Sequence, residues 1–196
     1  KKVMARRKEF DREEVLEKAM EAFWCQGYEA TSIEDLVKQM GINRGSLYDT
    51  FGDKRTLFLE AIAHYDNTVT SKAIAQLEAP GSAKQAIANY FQSLVERATL
   101  DRQRRGCFLT NSVVELAAHD PDAASRLAAN LQRLESAFYK ALMRAKAEGE
   151  ITQHKDIRAL ARFFTSSLQG LRVMSKVNPE PSALQDAAKV IVSVLD

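Results

Sequence analysis

Prolines, glycines and cysteines are scarce in this sequence, and long apolar runs are missing. Four prolines and eight glycines are too few for a β protein with many turns, and no long stretch alternates polar with apolar residues. Two cysteines make no disulfide framework and show no zinc-binding spacing. No segment is apolar over the length of a bilayer, and no signal-peptide pattern is found. We therefore expect an all-α, cytoplasmic protein with no metal and no other cofactor.

Positive and negative charges nearly balance over the whole chain. The net charge of +2 says little about partners, so any nucleic-acid argument must rest on local charge. The modest net charge also argues against a nonspecific DNA-compacting protein. The first eight residues, KKVMARRK, hold five positive charges and no negative one. Such a basic arm is either a solvated terminus or a supplementary DNA contact, and the sequence leaves both interpretations open.

Start and stop signals predict nine helices. Four fall before the break APGS at residues 79–82, with N-caps at Asp11, Thr31 or Ser32, Asn43 and Asp53. Five more are expected at about 84–100, 105–118, 121–149, 155–176 and 181–195. We predict two domains: a compact N-terminal domain over residues 1–55, and a helical bundle over residues 56–196.

The third predicted helix is unusually short, and its composition suggests a function. A helix of that length needs tertiary packing to survive in water, which Leu47 and Phe51 can provide. The tight turn at Gly41 makes this helix the second member of a helix-turn-helix, the member that enters the major groove of DNA. The alternative is a plain helical corner with a surface arginine. The candidate DNA-binding residues are Thr31, Ser32, Arg44, Gly45, Ser46, Tyr48, Asp49, Thr50 and Lys54.

The segment FWCQGYEATSIEDLVKQMGINRGSLYDTFGDKRTLF resembles the TetR family of bacterial transcriptional regulators. The matching positions are Gly27, Tyr28, Thr31, Ser32, Ile33, Leu36, Gly41, Ile42, Gly45, Leu47, Tyr48, Phe51, Lys54 and Leu57. Met40, Asn43 and Thr50 depart from the usual residues, and Asp49 places a negative charge on a DNA-facing helix. The resemblance implies a homodimeric regulator that binds double-stranded operator DNA and is controlled by a small-molecule effector. A repressor is the expected form, and an activator of the same fold is the weaker variant.

The resemblance implies that the C-terminal bundle dimerises and binds the effector. Strongly apolar faces on the last two helices fit a dimer interface, although such faces also fit the core of a monomer. The candidate dimerisation residues are Phe164, Leu168, Leu171, Leu184 and Ile191. The candidate effector-binding residues, which are equally compatible with plain core packing, are Tyr90, Phe91, Cys107, Phe108, Asn111, Phe138 and Leu142.

Cys107 is the most individual feature of the bundle. It follows Arg104, Arg105 and Gly106 near a predicted helix start, an environment that favours a reactive thiolate. A redox or electrophile sensor is one interpretation, and an inert, half-buried thiol is the other. The rival function from a different class is a helical thiol enzyme that uses Cys107 as nucleophile. That rival lacks an evident base, because His119 lies twelve residues further along the chain.

Overall fold

The computed structural model describes residues 10–178 and 180–196, and every regular element in these ranges is helical. The basic arm of residues 1–8 lies outside them. The elements are α1 (Arg12–Gln26), α2 (Ile33–Met40), α3 (Arg44–Phe51), α4 (Lys54–Tyr65), a π-helical turn (Asp66–Thr70), α5 (Ser71–Leu77), α6 (Ala83–Leu100), α7 (Phe108–Leu116), α8 (Pro121–Ala147), α9 (Ile157–Val177) and α10 (Pro181–Ser193). The predicted all-α class is confirmed. If α4, the π-helical turn and α5 count as the single predicted fourth helix, these ranges hold nine helices.

The predicted capping residues start their helices. The Asp11 carboxylate accepts the N–H of Glu13 at 2.8 Å, and Asn43 accepts the N–H of Ser46 at 2.8 Å. Of the two candidates for the cap of α2, Ser32 takes the position and forms a capping box with Asp35. A side-chain cap of this kind contributes about 1 kcal/mol to helix stability. The helix starts could be predicted because capping is local chemistry.

The described residues divide into two compact units, the first ending at Tyr65 and the second running from Asp66 to Asp196. The boundary expected from the sequence, between residues 55 and 56, lies near the start of α4 and stays a prediction. No helix within residues 10–178 and 180–196 is both long and apolar enough to cross a membrane.

The core of the first unit holds the short helix α3 in place. Leu47 and Phe51 are buried on its inner side, and Leu36 and Met40 of α2 are also buried. Beneath them the rings of α1 and α4 pack edge to face. This packing supplies the tertiary contacts that an eight-residue helix needs.

The second unit is built around a cluster of aromatic rings from α6, α8 and α9. The Phe91 and Phe138 ring centroids lie 6.0 Å apart, Phe138 and Phe164 lie 5.6 Å apart, and Tyr90 meets the Phe138 ring edge to face at 5.5 Å. Aromatic pairs at such distances stabilise a core by about 0.5–1.5 kcal/mol beyond the area they bury.

This core corrects the expected dimer face. The structure buries four of the five candidate residues within the chain's own core, and the fifth is half-buried against it; the five are Phe164, Leu168, Leu171, Leu184 and Ile191. A residue covered by its own chain cannot present an apolar surface to a second copy. Sequence periodicity marks an apolar face but does not say which helix covers that face.

The π-helical turn is held by side chains of α8. The buried Asn130 amide donates to the Asp66 carboxylate and, at 3.2 Å, to the Thr70 hydroxyl. Arg133 also pairs with Asp66. These bonds satisfy the polar atoms that the burial of Asn130 removes from water, and they tie the turn to the bundle.

Candidate functional site

Helices α2 and α3 form a tight helix-turn-helix. Gly41 ends α2 in the left-handed conformation with φ of 70°, and its N–H donates to the Val37 carbonyl at 3.0 Å. A residue with a Cβ is strained at that φ. Asn43 then starts α3, so only three residues separate the two helices. This geometry turns the N-terminal half of α3 outward, as a helix that enters the major groove requires.

The outer face of α3 presents polar groups to solvent. Arg44, Gly45, Tyr48 and Asp49 are exposed, and Ser46 is half-buried. These residues were expected to face outward, and the structure places them together on one side of the helix. The close approach of Gly45 to the cap explains the glycine there, because a Cβ would lie 3.3 Å from the amide oxygen of Asn43.

Three other candidate residues direct their hydroxyls into the protein. Thr31 is fully buried and donates its hydroxyl to the Gly27 carbonyl at 2.5 Å. Ser32 donates its hydroxyl to Asp35 at 2.6 Å and its backbone N–H at 2.9 Å. These two bonds lower the pKa of the Asp35 carboxyl, the hydroxyl bond contributing most. The Thr50 hydroxyl is buried and has no partner within the described ranges. We therefore leave these three side chains out of the DNA contacts proposed below.

Lys54 is a cation on the first turn of α4. Its ammonium nitrogen lies 4.5 Å from the centroid of the Tyr28 ring and 3.5 Å from the Glu29 carbonyl oxygen. The aromatic ring and the carbonyl both attract a positive charge, so they fix the position of the ammonium group. Tyr28 and Glu34, the latter an ion-pair partner of Arg44, take part in the site although sequence reasoning assigned them no role there.

The candidate effector-binding residues occupy two neighbouring regions of the second unit. Tyr90, Phe91, Phe138 and Leu142 lie in the central core. Cys107 and Phe108 are buried at the start of α7. The seventh candidate, Asn111, donates its amide to the Arg105 carbonyl at 2.8 Å. Sequence reasoning did not select Gln169 of α9, whose side-chain oxygen accepts the Thr110 hydroxyl at 2.5 Å. The signal available was a glutamine within an otherwise apolar helix.

The α6–α10 groove is a separate opening in the second unit. It has a volume of about 490 Å³, and its lining includes Phe91, Val95, Ala188 and Val192, with Gln92 and Lys189 among the polar residues. A volume in this range is sufficient for a small organic molecule. Of the seven candidate effector-binding residues, Phe91 is the one that lines it.

The enzyme alternative needs a base near Cys107. His119 is exposed and lies beyond the C-terminal end of α7, whereas Cys107 is buried at its N-terminal end. The nine-residue helix between them is about 14 Å long. Within residues 10–178 and 180–196, no group of three or more His, Cys, Asp or Glu side chains could hold a metal ion.

A short helix with an exposed arginine, held by its own cap behind a tight glycine turn, defines a helix-turn-helix DNA-binding protein. Comparison with known families agrees with that class. Residues 15–61 match the model described as bacterial regulatory proteins of the tetR family, and residues 83–191 match the tetracyclin repressor-like C-terminal domain. The chain belongs to the TetR family of bacterial transcriptional regulators.

Two curated relatives and one solved structure cover most of the chain. An uncharacterized HTH-type transcriptional regulator of Bacillus subtilis, YezE, is 43% identical over 98% of this chain and 100% of its own length. The HTH-type transcriptional repressor ComR of Escherichia coli is 34% identical over 90% of this chain and 84% of its own. A cysteine mutant of the TetR-family regulator CifR, in complex with 26-bp double-stranded operator DNA, superposes with a TM-score of 0.85 at 30% identity. That match covers 97% of this chain and 100% of the CifR chain.

Proposed function

We propose that this chain is a transcriptional repressor that binds near-palindromic operator DNA as a homodimer and is released by a small-molecule effector. The observation that supports DNA reading most directly is the exposed face of α3, with Arg44 and Tyr48 beside each other on a helix held by buried Leu47. The complex of CifR with operator DNA and the repressor ComR support the same function by similarity. A regulator of this kind would act in the cytoplasm, where its operator is.

Arg44 is proposed to read a base, and Tyr48 and Lys54 to hold phosphates. The guanidinium of arginine donates two parallel hydrogen bonds to a guanine edge. A tyrosine hydroxyl and a lysine ammonium at the rim of the groove are suited to phosphate oxygens. Gly45, Ser46 and Asp49 complete the face presented to DNA, and the basic arm of residues 1–8 is proposed to add further phosphate contacts.

A second copy is proposed to cover exposed apolar residues of α9 and α10. On α9 these are Phe163, Val173 and Val177, which recur at helical spacing. Gly170, on the same stripe, faces open space, and a glycine there allows another helix to approach closely. On α10, Val190 is 69% exposed. Apolar stripes on two adjacent helices fit a four-helix interface between two copies.

Effector release follows from a population shift. A ligand that binds the second unit more tightly in the conformer that does not fit DNA lowers the fraction of dimer able to bind the operator. Two half-sites are read together, so even a small change in the spacing of the two α3 helices weakens both.

Footprinting on the DNA flanking the protein's own coding region tests the proposal. We expect one protected, near-palindromic site and lower output from a reporter that contains it when the protein is present. Binding that is equally strong on scrambled DNA would contradict operator recognition. Higher reporter output would contradict repression and leave operator recognition standing.

A further inference from the structure

Two polar groups buried in the second unit have no hydrogen-bond partner. The Tyr90 side chain is fully buried, and its hydroxyl contacts no donor or acceptor within the described ranges. The amide nitrogen of Gln169 is likewise buried and unpaired. An unpaired buried polar group costs about 1–3 kcal/mol, so both groups are unfavourable in the protein as it stands.

These two groups belong to one polar cluster, which consists of Tyr90, Cys107, Thr110, Gln169 and Arg172. Thr110 of α7 donates to the Gln169 oxygen at 2.5 Å, which joins α7 to α9. The Tyr90 hydroxyl lies close enough to Arg172 and Cys107 for both to act on its titration, although burial has the largest effect and raises its pKa. Residues three apart on a helix share a face. Cys107 and Thr110 therefore point the same way from the start of α7, as do Gln169 and Arg172 from α9.

The loop before α7 packs directly on α9 and keeps the cluster together. A Cβ on Gly106 would lie 3.1 Å from the Arg172 carbonyl oxygen and 2.8 Å from the Lys176 side chain. This close contact requires glycine, and it places the next residue, Cys107, beside α9. The four-ring core closes another side of the cluster, because Tyr90 is itself one of the rings.

The chemistry of the missing partner follows from the unpaired atoms. The Gln169 amide nitrogen is a donor, while the oxygen of the same side chain already accepts the Thr110 hydroxyl. The Tyr90 hydroxyl keeps its proton at neutral pH because burial raises its pKa, so it too can donate. Both cations that act on Tyr90 are arginines, Arg172 and Arg97. A group that accepts two hydrogen bonds and bears a negative charge satisfies all of these demands.

We propose that the Tyr90 hydroxyl and the Gln169 amide bind the carboxylate of the effector, and that the effector is a small monocarboxylic acid. One carboxylate oxygen accepts from Tyr90 and the other from Gln169, and the arginine charge offsets the cost of burying the anion. The inference rests on the proposed effector-controlled function, since it names the chemical class that would release the operator.

Calorimetry on the purified full chain tests the proposal with butyrate and benzoate as probes. Butyramide and benzamide are the matched neutral controls. We expect the two acids to bind and the two amides to bind at least about tenfold more weakly, since a hydrogen bond to a charged acceptor is stronger than one to a neutral group. Amides that bind as tightly as the acids would overturn the assignment of a carboxylate.

Two variants and two controls locate the binding site. Tyr90→Phe removes one donor, and Gln169→Glu replaces the amide donor with a repelling carboxylate, so each should weaken acid binding by about tenfold or more. Tyr139→Phe, at a half-buried tyrosine whose ring stacks against Arg158, and Gln132→Glu, at an exposed glutamine, should leave acid binding unchanged. Equal acid binding by all four variants would overturn the proposal.

Two further measurements separate a binding role from a structural one. Without ligand, Tyr90→Phe should unfold at the same temperature as the wild type or higher, because it removes an unpaired buried hydroxyl; a lower unfolding temperature would indicate a structural bond. A high-resolution crystal structure with only ordered water between Tyr90 and Gln169, together with no acid binding, would also overturn the proposal. Operator binding without any probe is measured separately, so its absence would contradict the proposed function itself.

Discussion

The guanidinium nitrogen of Arg44 lies 3.1 Å from a carboxylate oxygen of Glu34, across the turn between α2 and α3. Both side chains are more than half exposed, and an exposed pair of this kind contributes only about 0–1 kcal/mol. A bidentate contact with a guanine contributes about 1–3 kcal/mol of discrimination. The base can therefore displace Glu34, and the ion pair holds Arg44 near the DNA face until DNA binds.

Arg44→Ala should flatten base preference at one symmetric position of the operator. The expected loss is about 1–3 kcal/mol at the preferred base, with little change at other positions. The measurement is binding to a set of operators substituted at one base pair per half-site. Glu34→Gln is the companion variant. It should raise affinity for every operator because it removes a negative charge near phosphate, and it should leave the base preference intact. If Arg44→Ala weakens all operators equally, Arg44 contacts a phosphate and another residue reads the bases.

Lys54→Ala should weaken binding to all DNA sequences alike. Loss of one phosphate contact lowers the slope of log affinity against log salt by about one unit. Titrations at several salt concentrations measure this slope. Tyr48→Phe should weaken binding less and leave the slope unchanged, because it removes a neutral donor. Lys72→Ala, at an exposed lysine of α5 in the second unit, is the control. An unchanged slope for Lys54→Ala would assign this lysine to the Tyr28 contact alone.

Val190→Lys on the exposed stripe of α10 should break the dimer without unfolding the chain. We expect light scattering to give the mass of a monomer and operator binding to fall, because two half-sites are read together. Leu168→Ala should behave differently. Leu168 is fully buried within the chain, so its truncation should cost about 2–5 kcal/mol of unfolding free energy. A wild type that stays monomeric at micromolar concentration would contradict the proposed interface.

The two cysteines should differ sharply in their reaction with a bulky maleimide. Cys25 is exposed, whereas Cys107 is only 2% exposed at the start of α7, so its labelling must wait for local opening. We expect Cys25→Ser to remain unlabelled until denaturant is added. Fast labelling of Cys107 in the native protein would show that the start of α7 opens readily. Cys107→Ser should keep operator binding, and release of the wild type but not of this variant by a small oxidant would support the sensor hypothesis.

Glu150 should make the stability of the second unit depend on acid pH. Burial raises the pKa of this carboxyl, but hydrogen bonds from the Lys84 N–H, the Ser82 hydroxyl and the Ala83 N–H outweigh it, so the pKa is lowered from its ordinary value of 4.5. A group whose pKa is lower in the folded state stabilises the fold above its unfolded pKa and loses that contribution as pH falls through the folded value.

Compared with Glu150→Gln, the wild type should therefore lose more unfolding free energy between about pH 5 and pH 3. Chemical denaturation at several pH values measures the difference. Parallel pH profiles for the two proteins would show that the carboxylate does not stabilise the start of α6.

The sequence determined where the helices begin, and it identified the helix-turn-helix. Caps such as Asp11 and Asn43 act within a few residues of themselves, and left-handed Gly41 is needed by its own turn. Apolar spacing likewise marked Leu47 and Phe51 as the inner side of α3. Local interactions of this kind depend little on the rest of the chain, and the ordered motif around α3 was specific enough to indicate the family.

Only the tertiary structure decided what covers each face and where each polar group points. The apolar face that includes Phe164 and Leu168 is covered by the chain's own helices, whereas Val190 stays exposed. The hydroxyl of Thr31 turns to a carbonyl of its own chain, and Gln169 meets Thr110, which is 59 residues away. Such outcomes depend on how helices distant in sequence pack together, because a side chain is buried, paired or left unpaired by neighbours that the local sequence does not contain.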